Sequence, residues 1–176
     1  SDWDVPLFTT TAGNPDIGTR IVDLNGDGLP DFIQTTGSAP NSITTTVYLN
    51  DGSGWNSSTG WSSPVLLQDG TILGDLNNDG LMDILQSYEN GPWSHQAYLN
   101  NGNKGWSTTS VFDPPIKFET ATTTDRGVRE ADVNGDGFSD LLYAGWGNTK
   151  KTYLNNGSGW YETQQDWVAP REFINS

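Results

Sequence analysis

One nine-residue segment occurs three times in this chain, and nothing else in the sequence restricts the fold as strongly. Asp23-Leu24-Asn25-Gly26-Asp27-Gly28-Leu29-Pro30-Asp31 returns as Asp75-Leu76-Asn77-Asn78-Asp79-Gly80-Leu81-Met82-Asp83, and again as Asp132-Val133-Asn134-Gly135-Asp136-Gly137-Phe138-Ser139-Asp140, at spacings of 52 and 57 residues. A second segment follows each copy: Tyr48-Leu49-Asn50-Asp51-Gly52, Tyr98-Leu99-Asn100-Asn101-Gly102 and Tyr153-Leu154-Asn155-Asn156-Gly157, each leading to a tryptophan (Trp55, Trp106, Trp160). Self-similarity at a period of roughly 20–50 residues marks solenoids and propellers, in which each repeat is one supersecondary unit that buries its apolar faces against its neighbours.

Each repeat reads as strands. Asp31-Phe32-Ile33-Gln34, Asp83-Ile84-Leu85-Gln86 and Asp140-Leu141-Leu142-Tyr143 are short apolar runs bounded by turn residues, and no segment has the longer amphipathic period of a helix. Asp51-Gly52, Asn101-Gly102 and Asn156-Gly157 lie between β-like runs, and such pairs signal tight hairpins with positive φ at both central residues. The expected fold class is all-β: propeller blades, as three four-stranded antiparallel repeats. The strand order is one entering the acidic loop, one leaving it, the Tyr-Leu-Asn strand, and an outer strand after the tryptophan. The chain is then a single repeat array over 1–176, with repeat 1 at about 10–66, repeat 2 at about 67–118, repeat 3 at about 119–174, and a strand in 1–9 in phase with the repeat ends. That phase rests on Trp3-Asp4-Val5-Pro6, which matches Trp61-Ser62-Ser63-Pro64 and Trp167-Val168-Ala169-Pro170. Propellers close with about four to eight blades. Three blades are therefore expected to form a six-bladed ring as a homodimer, or to belong to a larger propeller.

Positions 1, 3, 5 and 9 of each loop are Asp, Asn, Asp and Asp, and position 6 is Gly. In a sharply turned loop, alternate side chains converge, so that several oxygens face one point. Calcium takes about six to eight hard oxygen ligands, backbone carbonyls included. The predicted ligands for three calcium ions are Asp23, Asn25, Asp27, the Leu29 carbonyl and Asp31; Asp75, Asn77, Asp79, the Leu81 carbonyl and Asp83; and Asp132, Asn134, Asp136, the Phe138 carbonyl and Asp140. Gly28, Gly80 and Gly137 supply the left-handed backbone such a turn needs. Two carboxylates about 4 Å apart repel by roughly 4 kcal/mol at an effective dielectric of 20, and each loop crowds three. Magnesium fits less well, because it demands a small octahedron and keeps its waters. Zinc is disfavoured by the lack of cysteine and the single histidine. An EF-hand would need a glutamate at position 12, where this chain has Gln34, Gln86 and Tyr143.

These segments resemble the FG-GAP/VCBS family of calcium-binding β-propeller repeats. The likeness is carried by Arg20 to Asp31, by Gly127 to Gly137 and by the three Tyr-Leu-Asn-(Asp/Asn)-Gly runs. The family includes the integrin α-subunit heads and bacterial surface or secreted proteins, and repeats of RHS-type toxin-related polypeptides look similar to these. The resemblance implies the same loop ligands and a structural metal that braces the blades. One departure is visible, since repeat 2 has Ile72 where the others have Arg20 and Arg129, so any ion pair made by those arginines is missing there.

The remaining residues weigh against catalysis. A net charge of −14 repels nucleic acid and anionic membranes. No apolar run approaches the ~20 residues of a membrane span, and the start of the chain lacks the basic and apolar regions of a signal peptide, so the sequence reads as a mature or excised segment. There is no cysteine, no Gly-x-Ser-x-Gly elbow and no phosphate-binding glycine loop. His95 stands alone, and every obvious carboxylate cluster is committed to a loop. No enzymatic activity is expected. The repeat-locked tryptophans (Trp55, Trp106, Trp160, and Trp3, Trp61, Trp167) are expected in packing, whereas Trp93 and Trp146, off register in loops after the second strand, are the candidates for ligand contact. The expectation is a calcium-stabilised module for structure, adhesion or protein interaction, outside the cell or on its surface. Its alternative is a calcium-dependent lectin-like propeller. A further copy of the chain, the rest of a larger propeller, a protein or a glycan would be the partner.

Overall fold

Residue alternation in this chain resolves into twelve strands in a computed structural model, which describes residues 4, 6, 16–38, 42–68, 70–89, 93–120, 125–145, 149–163, 169 and 173. They are β1 (Thr19–Val22), β2 (Asp31–Ser38), β3 (Ser42–Asn50), β4 (Trp55–Ser58), β5 (Thr71–Gly74), β6 (Asp83–Glu89), β7 (Trp93–Asn100), β8 (Trp106–Thr109), β9 (Val128–Ala131), β10 (Asp140–Ala144), β11 (Lys150–Asn155) and β12 (Trp160–Thr163). They form three four-stranded antiparallel sheets, in the orders β1-β2-β3-β4, β5-β6-β7-β8 and β9-β10-β11-β12. This is the predicted blade, strand for strand: the acidic loop joins the first and second strands, and the tryptophan opens the fourth.

Burial follows the position of each strand. The second strands begin with residues buried on both faces, as in Asp31-Phe32-Ile33 and Asp83-Ile84-Leu85, while β4, β8 and β12 share a half-exposed pattern. The chain forms two compact units, Ser1–Gln68 with Asn100–Ser107, and Asp69–Leu99 with Thr108–Ser176. The core of the second gathers Leu76, Leu85, Phe112, Phe118, Val128 and Leu141; the first buries Leu24, Ile33, Val47, Leu67 and Trp61. The strand expected in 1–9 lies outside the described residues.

The hairpins after Asn50, Asn100 and Asn155 differ from the expected tight turn. Gly52, Gly102 and Gly157 have φ of 80°, 67° and 75°, but Asp51, Asn101 and Asn156 do not adopt positive φ. Side chains shape the turn instead. The Asp51 carboxylate accepts the Ser53 and Gly54 amides at 2.8 and 3.0 Å, and the Asn50 side chain accepts that of Gly52 at 2.9 Å. Gly18, Gly70 and Gly127, one step before each first strand, have φ of 76°, 79° and 77°, and a Cβ on Gly18 would lie 2.6 Å from the Thr35 carbonyl oxygen. These glycines let the backbone come close enough to extend the ladder by one bond, as in Thr35 N to Gly18 O at 3.0 Å.

Candidate metal centre

The three acidic loops fold alike around their own amides. In the first, Asp23 accepts from Gly26 N and Gly28 N, both at 2.8 Å, Asn25 Oδ1 accepts from Asp27 N at 3.0 Å, and Asp27 Oδ1 accepts from Leu29 N at 2.9 Å. The Asn25 amide donates to Asp27 Oδ2 at 3.0 Å. In the second, Asp75 takes Gly80 N at 2.8 Å and Asp79 N at 3.2 Å, Asp79 takes Leu81 N at 2.9 Å, and Asn77 donates to Asp79 at 2.9 Å. In the third, Asp132 takes Gly135 N at 2.7 Å and Gly137 N at 3.0 Å, Asp136 takes Phe138 N at 3.0 Å, and Asn134 donates to Asp136 at 2.9 Å. The predicted left-handed glycines Gly28, Gly80 and Gly137 have φ of 84°, 82° and 92°. Position 4 needs the same conformation, with Gly26 at 78°, Gly135 at 77° and Asn78 at 59°, and asparagine is among the few other residues that tolerate it.

The aspartate at position 9 goes elsewhere. Asp31, Asp83 and Asp140 are fully buried. Asp31 accepts from Leu24 N at 3.0 Å and Asn50 N at 2.8 Å, Asp83 from Leu76 N at 2.9 Å, and Asp140 from Val133 N at 3.1 Å and Asn155 N at 2.8 Å. Burial pushes the Asp31 carboxyl above the usual carboxylate range; the Asn50 and Leu24 amides pull it down, and the Asp27 and Asp23 charges push it further up. Asp140 is raised in the same way by burial, against the Asn155 and Val133 amides, with Asp136 and Asp132 adding to the push.

No group of three or more His, Cys, Asp or Glu side chains among the described residues is arranged to hold a metal ion by itself. The donor chemistry nonetheless fits a hard divalent cation. Each loop offers only oxygens, from two exposed or half-exposed aspartates and an asparagine on one turn. A carboxylate oxygen that accepts one amide keeps a further lone pair, so the amide bonds orient these side chains without exhausting them.

The other candidates separate cleanly. Trp61 is buried and donates to Ser58 Oγ at 3.1 Å, with its ring 5.8 Å from that of Trp106. Trp55 meets Phe32 edge-on at 4.6 Å, and Trp160 donates to Phe112 O at 3.1 Å. The described repeat-locked tryptophans therefore serve packing, while Trp3 and Trp167 lie outside the described residues. Trp93 opens strand β7 instead of lying in a loop, because its backbone pairs with Glu89. It is 38% exposed, lies against His95 with the rings tilted at 36° and their centres 4.3 Å apart, and donates to Ser87 Oγ at 2.9 Å. Trp146 lies outside the described residues. Arg20 pairs with Asp16 at 2.9 Å and Arg129 with Asp125 at 2.7 Å; where repeat 2 has Ile72, the residue four before it is Gln68.

Sequence reasoning missed the asparagines that end the third strands. Asn50, Asn100 and Asn155 are buried, and each side chain accepts the amide two residues on while donating to a loop carbonyl. Their recurrence at one repeat position was the available signal.

No curated protein sequence matches the chain. Among solved structures, a lectin of Agrocybe aegerita, described in terms of specific recognition of non-reducing terminal N-acetylglucosamine, is similar with a TM-score of 0.56 and 22% identity, over 85% of this chain and 38% of the lectin. The Tc holotoxin pore of Photorhabdus luminescens is similar with a TM-score of 0.56 and 18% identity, over 89% of this chain and 7% of that one. The chain thus spans well under half of either neighbour, and at such identities the likeness is one of fold. The family model of the FG-GAP-like repeat matches residues 23–86 and 75–143, both spans opening on the first aspartate of an acidic loop. With that match extending over most of the sequence and each loop set between the first two strands of a four-stranded sheet, the chain belongs to the FG-GAP-like repeat family.

Proposed function

We propose that this chain is a calcium-stabilised β-propeller module for structure, adhesion or protein interaction, with no catalytic activity of its own. The observation that carries this reading is the threefold recurrence of one oxygen-rich turn with one hydrogen-bond pattern. The ions would be held by Asp23, Asn25, Asp27 and the Leu29 carbonyl, and by their counterparts Asp75, Asn77, Asp79 and Leu81, and Asp132, Asn134, Asp136 and Phe138, while the buried Asp31, Asp83 and Asp140 brace each loop through backbone amides. Bound calcium offsets the repulsion among these carboxylates and fixes the turn that joins the first two strands of each blade. Position 9 holds the loop to the third strand, through Asn50 N and Asn155 N.

Loops without the bidentate glutamate of EF-hands are expected to bind calcium in the weaker range and to fill at extracellular concentrations, which supports a location outside the cell or on its surface. Three blades reach the usual blade number when a second copy joins head to tail, giving a ring of six, or when the chain forms part of a larger propeller. Equilibrium dialysis at millimolar calcium tests the metal reading. Three ions per chain are expected, with Asp27→Ala, Asp79→Ala and Asp136→Ala each removing one; no bound calcium would refute it.

A second reading, a calcium-dependent carbohydrate-binding propeller, is favoured by exposed Trp93 beside His95 and by the fold shared with the Agrocybe lectin. An exposed indole face suits a sugar ring. Tryptophan fluorescence across a glycan panel separates the readings: quenching that Trp93→Ala abolishes supports the lectin, and flat titrations leave the interaction module.

A further inference from the structure

Three features mark the places where one repeat meets the next, the first seen at both junctions and the other two between repeats 2 and 3, and each has an incomplete counterpart in repeats 1 and 3. The first is a hydrogen bond. Asn100 Nδ2 donates to Leu24 O at 3.0 Å, within the first unit, and Asn155 Nδ2 donates to Leu76 O at 2.8 Å, within the second. Each asparagine thereby clasps position 2 of the preceding repeat's loop. Asn50 instead donates to Pro30 O of its own loop, at 3.2 Å. Among the described residues no side chain is found on the corresponding carbonyl of repeat 3, that of Val133, which is partly exposed where Leu24 and Leu76 are fully buried.

The second feature is a packing contact. Gly74, buried at the end of β5, lies so close to Glu130 that a Cβ there would stand 2.9 Å from the glutamate's Cγ. Repeat 1 has Ile21 at the Glu130 position, 56% exposed, and repeat 3 has exposed Ala131 at the Gly74 position. The third is a backbone bond from Ser139 N to Asp75 O at 2.8 Å. At that position repeat 1 has Pro30, which has no N–H to give.

We propose that the face carrying Ile21 and Asn50 docks on the face carrying Ala131 and Val133 of a second copy of this chain. The Asn50 amide donates its second hydrogen to the Val133 carbonyl of that copy, and Ile21 packs on its Ala131. This rests on the ring reading above and names the residues that make it. An amide nitrogen carries two donors, so Asn50 can keep Pro30 and take the carbonyl as well. An isoleucine against an alanine gives apolar burial where the internal joint has a glutamate against a glycine. Because Pro30 removes one hydrogen bond, the joint between copies is weaker than the joint inside the chain, and association is reversible and concentration-dependent.

Sedimentation equilibrium of the whole chain in millimolar calcium, over a wide concentration range, tests this with three variants. Ile21→Glu introduces the residue that repeat 3 carries at this position, and should weaken dimerisation at least tenfold while leaving the thermal melt of the dilute monomer in place. Asn50→Asp keeps the acceptor for Gly52 and loses the donor, and should also weaken it. Pro30→Ser restores the missing N–H and should tighten it about fivefold, the value of one ordinary hydrogen bond. A monomer at every concentration overturns both the joint and the ring. A dimer indifferent to Ile21→Glu and Pro30→Ser overturns the joint and leaves the ring standing. The calcium reading is decided separately by dialysis.

Discussion

Two aspartates of one loop, four residues apart, do opposite work. Asp27 is exposed and turns back on the amide of Leu29 two residues away. Asp31 is fully buried and reaches Leu24 and Asn50, seven and nineteen residues away. Both accept amide hydrogens, yet one shapes a turn beside solvent while the other stitches a loop to the third strand of its blade. A repeated acidic motif is thus a rim of solvent-facing oxygens that shape the turn, joined to one buried structural carboxylate.

The largest expected effect breaks this comparison on the buried side. Asp31→Ala leaves the amides of Leu24 and Asn50 buried without an acceptor and should cost about 3–5 kcal/mol in urea unfolding, with calcium or with chelator. A loss below about 1 kcal/mol would show that position 9 is no anchor. Next comes Asp27→Ala, which in chelator should cost about 1 kcal/mol, because the bonds it accepts from Leu29 N and the Asn25 side chain both lie beside solvent. In calcium the cost should grow, because the ion is lost too; an equal cost in both conditions would place Asp27 with Asp31.

Asp51 sharpens the contrast as an exposed carboxylate outside the loops. Hydrogen bonds from the Ser53 hydroxyl and amide, with Asn56 and Gly54 behind them, hold its carboxyl down at about 2. A depressed folded-state value means that its contribution is present above the ordinary carboxylate range and fades as pH falls towards 2. Carbon-detected NMR titration should find this value unchanged by calcium. The smallest effect belongs to the Arg129–Asp125 pair, about half exposed on both sides. Asp125→Asn should cost a few tenths of a kcal/mol at low salt and nothing measurable at high salt.

Much of this fold was legible because its signals are local. The aspartate at position 1, the glycine at position 6 and the short apolar runs after position 9 locate each blade within a dozen residues. What stayed hidden lies far along the chain. Asn100 and Asn155 look like ordinary strand-ending asparagines until their amides are found on carbonyls 76 and 79 residues away. The hairpins were misread for a related reason, since Asp-Gly and Asn-Gly promise a two-residue turn, and only the side-chain bonds of Asn50 and Asp51 reveal the longer one. Nor could spacing alone distinguish position 9 from positions 1, 3 and 5, because it depends on burial, which pattern does not report.

The most direct test of the account is the melting temperature of the whole chain in calcium against chelator, with Asp27→Ala beside it. At tenfold excess over the dissociation constant each site adds about 1.4 kcal/mol, so three sites should raise the melting temperature by roughly 10 °C for a chain of this size. Asp27→Ala should retain about two thirds of that shift. Superposable curves with calcium and with chelator would contradict the calcium-stabilised propeller outright.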